Sequence, residues 1–240
     1  MLVFPFYLCY NKGMNLSPEH YLNLIDEKRP LFQKYFALLL EYNKKFNLTA
    51  ITKEDEVYEK HFLDSVLGEA LFLKGASVLE VGSGAGFPSL PLKIVRDDLN
   101  FTLVESTGKK CDFLKLAVRE LDLEGVTVLC GRAEDFARDP NYRERFDVCC
   151  ARAVARLNTL SEYCLPFVKV GGSFIAYKGD AAEEVKEARN AIKLLGGGDT
   201  DDLRYTLPSG ASRTLVQIKK QRPTPKGYPR GQGKERKNPL

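Results

Sequence analysis

Histidine is scarce in this 240-residue chain, with two in all, and its six cysteines (Cys9, Cys111, Cys130, Cys149, Cys150 and Cys164) form no C-x-x-C pair. So few imidazoles and such scattered thiols indicate neither a zinc site nor a disulfide framework, and no metal is expected. The cysteines read instead as small buried hydrophobes in a reducing cytoplasm. The apolar N-terminal stretch "MLVFPFYLCYNKG" lacks length: its thirteen residues fall short of the ~20 that a bilayer span needs, and no basic start of a secretory kind precedes them. Residues 1–14 are therefore expected to form a disordered leader, and no membrane partner is expected.

What is present suffices for a sizeable core, since 44% of the residues are hydrophobic in a length that suits one ordinary domain with an appendage. A monomer is expected. Net charge is +4, but its distribution is uneven: Lys219, Lys220, Arg222, Lys226, Arg230, Lys234, Arg236 and Lys237 against Glu235 make a stretch of +7, which leaves the rest at −3. No amphipathic apolar face accompanies this Pro/Gly-rich tail, so its expected partner is nucleic acid before membrane. Lys219, Lys220, Arg222, Lys226 and Arg230 are the first candidates for RNA contacts.

From Ser77 onward, short apolar runs alternate with helical stretches. "SVLEV", "NFTLVE", "VTVLC", "FDVCCARA" and "GSFIAYKG" have the composition of strands, and helices are predicted near 88–96, 109–122, 133–138, 157–167 and 181–195. That alternation predicts a parallel sheet covered on both faces. "LRYTLP" and "RTLVQIKKQ", joined by a four-residue turn, predict a hairpin that ends the sheet on an antiparallel strand. Residues 15–74 are predicted to be a helical layer. Ser17 would cap a first helix with Pro18 at its first position, and Phe32, Tyr35, Phe36, Leu39, Tyr42 and Phe46 form a stripe at helical spacing. Thr52 and Asp55 have the spacing of a capping box for a helix from Lys53 to Phe72. The domains drawn this way are the layer at 15–74, an α/β domain at 75–220 and the tail at 221–240.

The chemistry-bearing stretch is "VLEVGSGAGFPSLPL", residues 78–92. Gly82, Gly84 and Gly86 come after the first strand at its carboxyl end, where open α/β sheets bind ligands and where a Cβ would hold the backbone away from them. Glu105, at the end of the second strand, can accept both hydroxyls of a ribose, so the ligand contains a nucleoside. A dinucleotide fingerprint has a third glycine where this chain has Phe87, which disfavours a nicotinamide-dependent oxidoreductase. The E-x-G-x-G-x-G pattern resembles the loop of S-adenosylmethionine-dependent methyltransferases. In such folds the residues after the third strand hold the adenine, which points to Ala133, through its backbone, and Glu134.

The reaction centre lacks the Asn/Asp-Pro-Pro-aromatic turn of amine methyltransferases and the Pro-Cys of pyrimidine-carbon enzymes. No general base stands out. A base is needed only where the nucleophile must lose a proton, and guanine N7 has a lone pair and no proton, so alignment with an activated methyl donor could supply most of the catalysis. Arg152, at the end of the fourth strand, is placed to bind phosphate or a guanine edge.

"NLTAI", "KHFLDS", "GSGAGFPSLPL", "ESTGKKCDFL", "GRAEDF", "ARAVARL", "YKG" and the tail "YPR...G...KNPL" together resemble the RsmG (GidB) family of bacterial 16S rRNA methyltransferases, from about residue 15 to the end. The resemblance implies a Rossmann-like class I methyltransferase fold, α/β with a seven-stranded, mostly parallel sheet ending in an antiparallel hairpin and preceded by helices. It implies methyl transfer from S-adenosylmethionine to N7 of a guanosine, with 16S rRNA or a small-subunit ribosomal particle as partner. It places cofactor contacts at Gly82, Phe87, Glu105, Ser106, Thr107, Ala133, Glu134 and Arg152, and suggests that His61 and Asp64 help build the RNA-facing side. Ser89 stands where many members have Gly. A small-molecule or protein methyltransferase is the alternative, with the basic tail as the argument against it, and a non-enzymatic RNA-binding scaffold also stays open.

Overall fold

The structure, a computed structural model, describes residues 18–240; the leader and the Ser17 cap lie outside the described residues. The helical layer opens with α1 (Pro18–Glu27) and α2 (Arg29–Asn43). From the predicted stripe, α2 buries Phe32, Tyr35 and Leu39 completely, each side chain stabilising the fold by ~2 kcal/mol.

The third helix departs from expectation. It begins as α3 (Glu54–Val57) with Lys53 at its cap and no side-chain capping bond, so the Thr52 capping box does not form. A π-helical turn comes next at Tyr58–Leu63, and the helix resumes as α4 (Asp64–Val66) before a 3-10 turn at Glu69–Leu71. A π-turn adds a residue to one turn of helix and rotates the downstream residues about the axis. Here it falls on "KHFLDS" and brings His61 and Asp64 to the same side chain, Arg152.

The rest keeps to the alternating pattern: β1 (Ser77–Val81), α5 (Ser89–Val95), β2 (Asn100–Glu105), α6 (Gly108–Glu120), β3 (Val126–Cys130), α7 (Ala133–Phe136), β4 (Phe146–Arg152), α8 (Leu157–Cys164), β5 (Val168–Lys178), α9 (Ala182–Leu194), β6 (Gly197–Thr206) and β7 (Ser212–Lys220). The described residues form a seven-stranded sheet in the order β3-β2-β1-β4-β5-β7-β6, parallel apart from β7, which runs against β5 and β6. β1 is buried on both faces. Its Val78 packs into the core shared with the helical layer, α5 and α6, while Leu79 and Val81 pack into the core under α8 and α9. Strand order reverses between β1 and β4, which leaves a crevice beyond their carboxyl ends.

Two expectations fail outside the sheet centre. Cys149, Cys150 and Cys164 are buried free thiols as expected, but Cys111 and Cys130 form a disulfide with Cα atoms 5.9 Å apart. The cause is register: β3 is an edge strand that pairs Cys130 with Glu105, and the Cys111 Sγ, on the first turn of α6, lies 3.2 Å from the Glu105 carbonyl oxygen. A separation of 19 residues with no local motif hides that meeting.

Nor is the C-terminal segment a solvated tail. Gln221 and Arg222 donate to the Gly196 carbonyl, Arg143 donates to the carbonyls of Thr224 and Tyr228, and Arg138 donates to that of Pro229. Arg230 then grips Glu162, a fully buried carboxylate of α8, through bonds of 2.7 and 2.9 Å. The segment ends in α10 (Lys234–Lys237), where Thr159 Oγ1 donates to the Glu235 carbonyl at 3.0 Å. Residues 221–240 thus form a strap that climbs along α8 from the amino edge of the sheet to its carboxyl edge.

Candidate active site

The loop after β1 turns through three glycines at positive φ, +71° at Gly82, +57° at Gly84 and +93° at Gly86, angles that other residues adopt only with strain. At Gly82 a Cβ would also lie 2.6 Å from a methyl group of Val154. Glu105 fixes the loop from the next strand: its carboxylate accepts from the amides of Gly84 (2.9 Å) and Thr107 (2.8 Å). Ser106, the Ala133 backbone and the largely buried Glu134 line one cavity with Gly82, and Arg132 pairs with Glu134 at 2.8 Å. The residues predicted for a nucleoside are therefore brought together around one crevice.

The helical layer braces this loop. Tyr35 of α2 donates its hydroxyl to the Ala85 carbonyl, and its ring packs 5.5 Å from that of Phe87. Sequence reasoning placed Tyr35 in an apolar stripe, which was right about burial and silent about its hydroxyl.

A second constellation also packs against Phe87. The His61 ring stacks on Phe87 at 4.4 Å and an interplanar angle of 17°, and the Arg152 guanidinium sits 5.0 Å from the Phe87 centroid. Arg152 donates to His61 Nδ1 (3.0 Å), to Asp64 Oδ2 (3.1 Å) and to the Lys60 carbonyl. Asp64 is also held by the Tyr205 hydroxyl at 2.9 Å and by Arg213 at 3.3 Å. Lys60, His61, Asp64, Arg152 and Arg213 border a cavity of about 320 Å³ whose lining also includes Ile51, Tyr177 and Lys178. Just after Arg152, Ala153 adopts φ +55°, the left-handed region, so the "ARA" turn stores strain where the crevice opens.

Donor chemistry assigns the protonation state of His61. An arginine only donates, so Nδ1 must accept, and Nε2 carries the hydrogen that it donates to Thr49 Oγ1 at 2.9 Å. "NLTAI" and "KHFLDS" are thereby joined through one imidazole. Burial, followed by the charge of Arg152, lowers the His61 pKa to about 3, so the ring is neutral at every ordinary pH. Its one lone pair is occupied, and it is not a general base.

This neutrality makes stability depend on pH, with the sign set by the depressed folded value. Because the unfolded chain titrates near ~6.5, the His61 contribution is complete above that pH and is lost as pH falls toward 3. Urea unfolding of wild type and His61→Gln should show a stability gap that shrinks by ~2 kcal/mol between pH 7 and pH 4.5. A gap that does not change with pH contradicts a neutral His61.

Glu80, in β1 just before the glycines, is completely buried, with only Ser83 and the start of α5 at Ser89 near its carboxylate and no well-formed hydrogen bond or ion pair to either oxygen among the described residues. Burial raises its pKa to about 7. Such a group fits a ligand that brings positive charge to the loop.

The candidate RNA cations are not brought to this crevice. Because β7 is antiparallel, its Ser212 end lies beside the crevice and its Lys220 end lies at the opposite edge of the sheet. Lys219 and Arg222 are exposed at that far edge, and Lys226 is exposed on the strap. Lys220 is buried, donating to the Leu165 carbonyl and Thr224 Oγ1, and Arg230 is spent on Glu162. The cations that border the larger cavity are Lys60, Arg152, Lys178 and Arg213, of which sequence reasoning found only Arg152.

Comparison with known proteins agrees with this architecture. Among solved structures, the chain resembles the O-methyltransferase from Bacillus cereus in complex with SAH (TM-score 0.56, 17% identity, 78% of this chain and 91% of that one). It also resembles the cofactor-bound Rv0187 from MTB (TM-score 0.57, 16% identity, 87% of this chain and all of that one). At such identities these two establish the fold. The sequence is 46% identical over 233 residues to the ribosomal RNA small subunit methyltransferase G of Streptococcus pneumoniae, covering 94% of this chain and 97% of that protein. It is 50% identical over 215 residues to the protein of the same name from Lactobacillus delbrueckii subsp. bulgaricus, covering 87% and 90%. Residues 28–202 match the GidB family model, described as rRNA small subunit methyltransferase G. With near-half identity along almost the whole length and a family match from α2 into β6, the chain belongs to the rRNA small subunit methyltransferase G family.

Proposed function

We propose that the protein transfers the methyl group of S-adenosylmethionine to N7 of a guanosine in 16S rRNA, acting in the cytoplasm on that RNA or on the small-subunit particle. The carrying observation is the pairing of a nucleoside crevice with a cation-lined cavity that has no free base, the two flanking consecutive residues, Ala153 on the cavity and Val154 on the crevice. Bound S-adenosylmethionine supplies a methyl group already activated on a sulfonium.

The residues present fit that cofactor. Glu105 takes the ribose hydroxyls, Ala133 and Glu134 take the adenine, and the orphaned Glu80 carboxylate answers the positive charge of the methionine end. Phe87, clamped between His61 and Tyr35, forms a rigid wall between cofactor and acceptor. On the acceptor side Arg152 presents a planar donor fork, a match for the edge of guanine or for phosphate. His61 and Asp64 hold that fork in place and take no proton from the substrate. N7 needs none removed, so catalysis reduces to alignment of a lone pair with the methyl group.

With 16S rRNA from a strain lacking the family enzyme, label from methyl-tritiated S-adenosylmethionine is expected at one guanosine, cleavable by aniline after borohydride reduction as N7-methylguanosine is. Label stable to that treatment would show another acceptor atom, and no label would sink the proposal. In the same assay Arg213→Ala, at the larger cavity, should weaken RNA binding and lower its salt dependence by about one counterion, whereas Lys219→Ala, at the far edge, should not.

A further inference from the structure

The strap finishes at the adenosine crevice. Arg236 of α10 and Tyr163 of α8 line the same cavity as Gly82, Ser106, Ala133 and Glu134, from the side that the strand loops leave open. Three features distinguish this wall from an idle surface turn. First, its position is enforced: Glu162 is fully buried and its charge is met by Arg230, so lifting the strap would leave a carboxylate uncompensated in the interior. Second, Gly231 turns at φ +74° where a Cβ would run into the Arg138 guanidinium of the body, and its amide donates to Glu235, which ties α10 to the turn that precedes it. Third, the Tyr163 side chain is buried at the cavity wall, and the group that approaches its hydroxyl, the Arg236 guanidinium, can only donate, so the hydroxyl hydrogen is left without an acceptor. Buried polar atoms are normally satisfied, and an exception that lines a cavity points to a ligand.

We propose that Tyr163 and Arg236 form the outer half of the adenine site, Tyr163 giving a hydrogen bond to the purine and Arg236 laying its guanidinium against it. Burial raises the phenol pKa, with Glu235 and Glu134 adding to the rise, so Tyr163 meets the ligand protonated and as a donor. Arg236, hydrogen-bonded to that phenol, opposes the rise, and a planar, weakly hydrated guanidinium suits a purine face better than an ammonium does. Arg132 is already ion-paired with Glu134, whereas Arg236, beside the Tyr163 hydroxyl, is in no ion pair among the described residues. The inference rests on the assignment of this crevice to the cofactor.

Calorimetric titration of the full-length protein with S-adenosylhomocysteine and with 5′-methylthioadenosine, which keeps the adenosine and lacks the amino-acid end, tests it. Arg236→Ala and Tyr163→Phe are each expected to weaken both ligands by the same factor, ~5–20-fold, with Arg236→Lys intermediate. Thermal melting within a few degrees of wild type shows that the fold is kept, and Tyr163→Phe removes one oxygen without opening a cavity. Affinities within twofold of wild type for both ligands overturn the proposal, as does a loss confined to S-adenosylhomocysteine, which would place the contact at the methionine end. Glu105→Ala separates the two levels: if it binds S-adenosylhomocysteine as wild type does, the crevice is not the cofactor site and both readings fall.

Discussion

Arg152→Met is expected to slow methyl transfer by at least ~10²-fold and to destabilise the fold by ~2–3 kcal/mol. The guanidinium is the common partner of His61, Asp64, the Lys60 carbonyl and the Phe87 face. Its removal frees the His61 lone pair, unclamps Phe87 and leaves Asp64 buried with Tyr205 and Arg213 alone. Those two remaining partners are why the stability loss falls below the ~3–5 kcal/mol usual for breaking a buried pair. Stability and catalysis can be separated by adding Asp64→Asn. The double variant no longer buries an uncompensated charge, so it should recover much of the urea midpoint, while the methylation rate stays low because the donor fork is still missing. Recovery of rate together with stability would mean that Arg152 only holds the fold.

Glu105→Ala is expected to weaken S-adenosylhomocysteine by ~10²-fold, measured by calorimetry, and to raise KM for S-adenosylmethionine similarly while kcat changes much less. Two losses combine. The ribose loses a charged acceptor worth ~1.5–3 kcal/mol, and the amides of Gly84 and Thr107 lose the carboxylate that orders both loops before the ligand arrives. Glu105→Gln keeps one acceptor and should fall between. An unchanged affinity in the alanine variant would show that the ribose binds elsewhere.

Local pattern made the sheet legible in the sequence. The strands were recovered almost to the residue because β1, β2 and β4 are short, mainly apolar runs bounded by polar turns, as strands in the middle of a parallel sheet tend to be, while the half-exposed edge strand β3 still shows its valines and threonine. The glycine loop and Glu105 were then located by the position of those strand ends. Missing were features made by residues distant in the chain. The π-turn at Tyr58–Leu63 leaves no trace in a 3.6-residue periodicity, yet it sets how His61 and Asp64 meet Arg152. Arg213 and Tyr205 lie more than 140 residues from Asp64 and reach it through the hairpin. The distance of Lys219 and Lys220 from the ligand loops was legible too, because a hairpin ending in an antiparallel strand carries their end of β7 to the opposite edge of the sheet. The tail deceived through composition: proline, glycine and lysine suggest a solvated segment, but the Arg230–Glu162 pair spans 68 residues and draws it onto α8.

That strap also changes how damage to the gene should be interpreted. A stop codon just before Arg230 leaves the glycine loop, "KHFLDS" and "ARAVARL" untouched, and a motif-based survey would score such an allele as intact. Yet the shortened product loses Arg230 and α10 together and keeps Glu162 buried without its counter-charge. Late truncations of this kind should therefore behave as null alleles, and an affinity tag fused after Leu240 would extend the very segment that reaches the mouth of the crevice.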